Sequence, residues 1–286
     1  MIRTTRPLCL ALALLLTPLA CGGDDDSSGG GGDGGSGDID ADVPEGPTVA
    51  FRITDLDLLD PHVYAFIGAC NDVTAVQNDN FERDINEDNE GPDDPDNPDG
   101  LLDLSGLAIF RPLNQAAETA RLEVLLGADC TAPIESTSCS KGEASSIMAT
   151  GNNDASAACD VILADTTTDG YDPAPAPAPA PCFAANAPEG VLEFGPFKLT
   201  EVAGAATYDG DPATGLMDGL LRGFISEEDA DNTTVNLPIL GDVPLSSLFP
   251  GGTDNCADGD DRDESSGTSG WYVYLSFTAV EVPFTE

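Results

Sequence analysis

The side chains in this sequence best equipped for chemistry are its carboxylates. Residues Asp79–Asp99 hold ten acids and one base, Arg83. The stretch ends in Asp93-Asp94-Pro95-Asp96-Asn97-Pro98-Asp99-Gly100-Leu101-Leu102-Asp103. Calcium takes six to eight hard oxygen ligands, which alternate Asp and Asn side chains around a glycine turn can supply. Asn97, Asp99, Gly100 and Asp103 occupy the third, fifth, sixth and ninth places of an Asp-x-Asp-x-Asp-Gly calcium loop. Pro95 stands in the first place, so Asp94 or Asp96 must substitute by bulging the loop. The competing reading is a solvated acidic loop without an ion. Asp55, Asp57 and Asp60 could serve a further site but read as the outer face and turn of a strand.

A second cluster, Asp254 to Glu264, keeps the loop spacing at Asp254, Asp258 and Gly259, with Asp260 adjoining. Its third place is Cys256, which is no calcium ligand once oxidised. Locally it resembles the acidic calcium repeats of thrombospondin-type proteins, which implies a weaker calcium site at Asp254, Asp258 and Asp260. Concentrated carboxylates repel one another in a compact chain, and bound cations relieve that.

Catalytic readings find less. Gly267-Thr268-Ser269-Gly270-Trp271 lacks the last glycine of a nucleophile elbow. Ser138-Cys139-Ser140-Lys141 has Ser-x-x-Lys spacing without the companion motifs that its chemistry requires. The single His, His62, follows Pro61 in an apolar stretch and reads as structural. No glycine-rich phosphate loop precedes a helix. With 52 acids in the chain, a carboxylate pair of glycosidase type cannot be picked out by spacing. The site expectation is therefore no catalytic residue.

The elements that position these residues begin with a leader. Arg3 and Arg6 precede the apolar run Leu8–Leu16, which is too short to span a bilayer. Thr17-Pro18-Leu19-Ala20-Cys21 follows, so residues 1–20 read as a secretory signal. Ala20-Cys21 directly after the apolar run resembles a bacterial lipoprotein signal. That resemblance implies cleavage before Cys21, lipid on Cys21 and, with Gly22 next, sorting to the outer membrane or cell surface. Residues 21–46 contain eight acids, no base and much Gly and Ser, the composition of a disordered tether. Its reach is roughly 25–30 Å. Removing Arg3 and Arg6 with the signal takes the net charge from -42 to -44. A surface this negative excludes phosphate-directed nucleic-acid binding. The membrane is expected as a partner only through the lipid, and a protein or carbohydrate partner stays open.

Cys9 leaves with the signal. Cys70, Cys130, Cys139, Cys159, Cys182 and Cys256 remain, an even number in an oxidising compartment. Of the fifteen pairings, the local one is preferred: Cys130 with Cys139, Cys159 with Cys182, and Cys70 with Cys256.

Residues 47–286 read as one β-rich domain. Strand patterns run over Thr48–Leu58, His62–Gly68, Leu101–Phe110, Leu122–Leu126, Asp160–Ala164, Gly190–Val202 and Trp271–Val282. In the last, Trp271, Val273, Leu275, Phe277 and Ala279 share one face. Ser226 before three acids predicts a helix start, Pro244–Phe249 one short turn, and Met217–Ile225 fits strand or helix. Tyr171–Pro181 is a polyproline-II spacer, read as a stiff surface loop. The expected class is all-β, or β-rich α+β: an antiparallel sandwich or barrel with long acidic and Pro-rich loops at 79–100 and 171–181. The expected function is a non-catalytic envelope binding or structural protein, with calcium as a possible stabiliser. The alternatives are a carboxylate hydrolase such as a glycosidase, and a lipid-carrying barrel.

Overall fold

The computed structural model describes residues 47–89, 98–142, 144–163, 171, 173–194, 197–237 and 241–286. Eight strands carry the fold. They are β1 (Val49–Asp60), β2 (Gly106–Phe110), β3 (Thr119–Leu126), β4 (Ser145–Asp154), β5 (Cys182–Ala187), β6 (Phe197–Gly210), β7 (Ala213–Ser226) and β8 (Thr268–Val282). Each pairs antiparallel with the next in chain order. β1 also pairs antiparallel with β8, so the sheet closes into an up-and-down barrel.

Alternation along the strands gives the barrel two apolar faces. Phe51, Phe110, Leu122, Ile147, Phe183, Tyr208, Leu216 and Leu275 belong to the main buried cluster. Four of these are rings in mutual contact: Phe110 lies 5.8 Å from Phe51, 5.2 Å from Phe183 and 6.1 Å from Tyr208. The interior is packed with side chains. Outward-facing Ala50, Leu107, Ile109, Leu125 and Val282 form a second cluster with the Cys130–Cys139 disulfide. Ala184, Ala203, Ala205, Leu220 and Tyr274 form a third, under Cys159–Cys182, Ile162 and Ala178. Two disulfide-clipped loops thus cover what would otherwise be wet apolar walls.

The Pro-Ala segment belongs to the third cluster. Pro175 and Ala178, three residues apart, are buried, the spacing of one polyproline-II turn. Thr207 Oγ1 donates to the Pro179 carbonyl at 2.6 Å, and Cys159 bridges Ala178. The segment lies along the barrel wall with one face already used.

Helix α1 (Thr74–Asn86) substitutes for a missing strand. β2 pairs with β1 only over Val49–Arg52, which leaves the rest of that β1 edge open. Asn78 closes it, accepting from Leu58 N–H at 2.8 Å and donating to Leu58 C=O at 3.2 Å. Asn86 donates to Thr54 C=O at 3.1 Å, and buried Arg52 donates to Ile85 C=O at 3.0 Å in the last helical turn.

Several expectations change here. The first third of the 79–100 stretch is helix, because Thr74, Asn78, Phe81 and Ile85 form one stripe against β1. The 160–164 strand is a 3₁₀ turn at Val161–Leu163. Met217–Ile225 is strand, in β7. Helix α2 (Glu227–Asn232) starts as read, with Ser226 Oγ accepting the Asp229 N–H at 3.0 Å. The disulfides are Cys70–Cys256, Cys130–Cys139 and Cys159–Cys182.

Candidate ligand groove and carboxylate cluster

Beyond β1 the chain makes a small hairpin, Tyr64–Phe66 paired with Cys70–Asp72. Gly68, at φ 73°, supplies the left-handed turn residue. Thr74 Oγ1 pins its base, accepting Val63 N–H at 2.9 Å and donating to Asp72 at 2.7 Å. The Cys70–Cys256 disulfide ties the hairpin to the 250–263 loop, 186 residues away in sequence. That loop is in turn anchored on the barrel. Trp271 Nε1 donates to the Pro250 carbonyl at 3.0 Å, and Phe249 packs 5.4 Å from the Trp271 ring.

A second hairpin, Thr234–Leu237 with Gly241–Pro244, continues from α2 and leads into the 3₁₀ turn Leu245–Leu248. Between the two hairpins runs an open groove of about 520 Å³. Tyr64, Phe66, Val243, Pro244 and Leu248 give it apolar walls, and Asp231 and Asp254 give it charge. Phe66 is 61% exposed and its neighbour Ile67 46%, high values for side chains of this size.

A group of acids also neighbours Tyr64. Asp60 ends β1 opposite Tyr274 and is only 4% exposed. A register shift between Leu58 and Asp60 re-aims it into the outer apolar layer, where the rings of Tyr171 and Tyr274 stand 5.7 Å apart. Its position as an exposed turn residue is thereby corrected. Burial pushes its carboxyl up to about 7, with the Asp261 charge adding, His62 and a Tyr171 hydrogen bond opposing, and Asp263 adding further. Among the described residues Asp60 Oδ2 has no hydrogen-bond partner. Burial raises Asp261 and Asp263 as well. Burial also raises the Tyr64 hydroxyl, together with the charges of Asp72, Asp261 and Asp60, so Tyr64 faces both the cluster and the groove. His62 Nδ1 lies 2.7 Å from Asp72 Oδ2.

The expected calcium ligands divide. Asp94, Asp96 and Asn97 lie outside the described residues, as does Cys21, the expected lipidation site. Asp99 Oδ1 accepts Leu101 N–H at 2.8 Å. Asp103 accepts Asn89 N–H through both oxygens, at 3.1 and 3.2 Å. These carboxylates cap loop amides. In the second cluster Asp260 is engaged by Arg262 at 2.8 and 2.7 Å. Asp254 lines the groove instead. Among the described residues no group of three or more His, Cys, Asp or Glu side chains is placed to hold a metal ion.

Sequence reasoning missed the groove and the Asp60–Asp261–Asp263 association. Their residues come from segments some 200 positions apart, and only the Cys70–Cys256 pairing hinted at the meeting. No protein-family model, curated protein or solved structure matches the chain.

Proposed function

We propose that this chain is an exported, lipid-anchored envelope protein that binds a partner through the groove beside Tyr64 and Phe66 and does not catalyse. The observation that carries the reading is the contrast in access. The groove is open and walled by an exposed aromatic, whereas the most enzyme-like acid, Asp60, is buried and hydrogen-bonded by Tyr171. The ring-filled interior disfavours the lipid-carrier alternative. Three disulfides are compatible with export, and Ala20-Cys21 supports lipidation and an outer-membrane or surface location. Calcium enters the proposal as a counter-ion of the acidic stretch 84–103. The decisive comparison is wild type against Phe66→Ser, immobilised through the tether, for retention of mixed soluble oligosaccharides and mixed peptides. Lost retention in the variant supports groove binding, and equal retention overturns it.

A carboxylate hydrolase stays a second reading because burial raises Asp60 beside Asp261 and Asp263, as a general acid requires. Release of nitrophenol from aryl glycosides near pH 6, abolished in Asp60→Asn, would establish it. No release from any such substrate would remove it.

A further inference from the structure

The groove has an unusual construction. Tyr64–Phe66 belongs to a two-stranded sheet and pairs with Cys70–Asp72 alone among the described strands. Gly241–Pro244 likewise pairs only with Thr234–Leu237. Among the described residues the Tyr64–Phe66 strand therefore keeps one backbone edge without a ladder partner, and residues of both hairpins line the same groove. Unpaired strand edges are templates for another extended chain.

The polar side chains of the groove are largely committed. Ser246 Oγ donates to Asp231 Oδ1, and Ser247 Oγ donates to the Pro244 carbonyl at 2.7 Å. A sugar, which presents a hydroxyl at nearly every carbon, would find few free groups to satisfy it. A peptide backbone needs only the strand edges, and its side chains would meet Tyr64, Phe66 and Val243. The charge is one-sided: Asp231 and Asp254 line the groove, and among the described residues no Lys or Arg does. Asp72 and Asp261 add negative field at the Tyr64 end.

We infer that the groove takes an extended, basic polypeptide segment, added as a strand along the free edge of Tyr64–Phe66 with a Lys or Arg directed at Asp231 and Asp254. This rests on the binding reading above and names its ligand class. Two positions suit a test without disturbing the fold. Phe66 is mostly exposed, and Asp254, at φ 61°, can become Asn, which tolerates left-handed backbone better than other side chains.

The experiment uses the full chain and a fluorescein-labelled short peptide alternating valine with lysine, read by fluorescence anisotropy. The expected result is saturable binding that weakens at least tenfold in Phe66→Ser and several-fold in Asp254→Asn. It also weakens with added salt, with glutamate in place of lysine, and with N-methylation of alternate backbone amides. Unchanged melting temperatures certify both variants as folded. A peptide that binds equally well when N-methylated overturns strand addition. If a neutral glucose oligomer binds in a Phe66-dependent way and no peptide does, the peptide inference fails and the binding reading stands. If neither probe binds and Phe66→Ser changes nothing, both fail.

Discussion

Glu123 and Asp60 are both acids of barrel strands, and they are 6% and 4% exposed. Their surroundings are opposite. Glu123, on β3, takes Lys141 Nζ on one oxygen and Arg111 on the other, each at 2.8 Å. Arg111 also pairs with Glu286, which fastens the end of the chain to the barrel. Burial opposes ionisation of Glu123, but hydrogen bonds from Lys141 and Arg111 outweigh it and hold the carboxyl below its ordinary value. Asp60 has a tyrosine hydroxyl, a histidine already facing Asp72, and two further acids. Burial therefore accompanies an ionised strut in one place, where two cations answer it, and a proton-holding acid in the other, where further acids add to it. A raised carboxyl pKa is often the mark of an active site. Here it accompanies a buried site, and the accessible surface is the groove that Tyr64 also lines.

The largest way to break the contrast is to neutralise Asp60. A carboxyl raised from 3.8 to about 7 binds more protons folded than unfolded between those values, so stability falls as pH rises through that window and is flat above it. Asp60→Asn removes the penalty. Chemical denaturation should show it more stable than wild type above pH 7, by as much as about 4 kcal/mol, with little difference near pH 4. Glu123 gives the reverse slope, because a depressed carboxyl contributes stability above the ordinary carboxylate range and loses it on acidification.

Stripping Glu123 of its cations is next in size. Arg111→Met with Lys141→Met leaves a buried carboxylate without partners and should cost about 3 kcal/mol at neutral pH. It should also turn Glu123 into a second Asp60, with a carboxyl midpoint above its ordinary value by NMR titration.

How much of this was legible in the sequence depended on how polar the element was. The alternation of Trp271, Val273 and Leu275 made β8 plain, because large apolar side chains repeat at period two. β4 and β5 were missed. Beside one large residue each, Ile147 and Phe183, their interior places hold Ala149, Gly151 and Ala185, small residues that leave room for the Phe110, Phe183 and Tyr208 rings. A Cβ at Gly151 would come within 1.7 Å of the Ala184 carbonyl oxygen, so the small residue is a packing requirement without an apolar signature. Helix α1 hid for a related reason: Asn78 stands in its buried stripe because it must hydrogen-bond both backbone groups of Leu58. The local disulfide pairing was readable from spacing. Asp60 was not, since a one-residue register shift decides which way it faces.

A smaller effect sharpens the comparison. Tyr171→Phe removes a donor to the Asp60 carboxylate, so its NMR midpoint should move further up and stability at pH 8 should drop by about 1 kcal/mol. An unchanged midpoint would mean that burial and the neighbouring acids alone set it. The smallest expected effect belongs to calcium. An extracellular-type site with a Kd near 1 mM would add about 0.6 kcal/mol at twice that concentration. The melting temperature should rise in calcium, fall back with chelator, and ignore a matched ionic-strength control.

The most direct test of the account maps where a ligand lands. Backbone amide shifts of the ¹⁵N-labelled chain are followed while the valine–lysine peptide is added at pH 6. Saturating changes are expected at Tyr64, Phe66, Val243 and Asp254, with Asp60 and Asp263 still. Changes centred on Asp60, Asp261 and Asp263, or none anywhere, would contradict it.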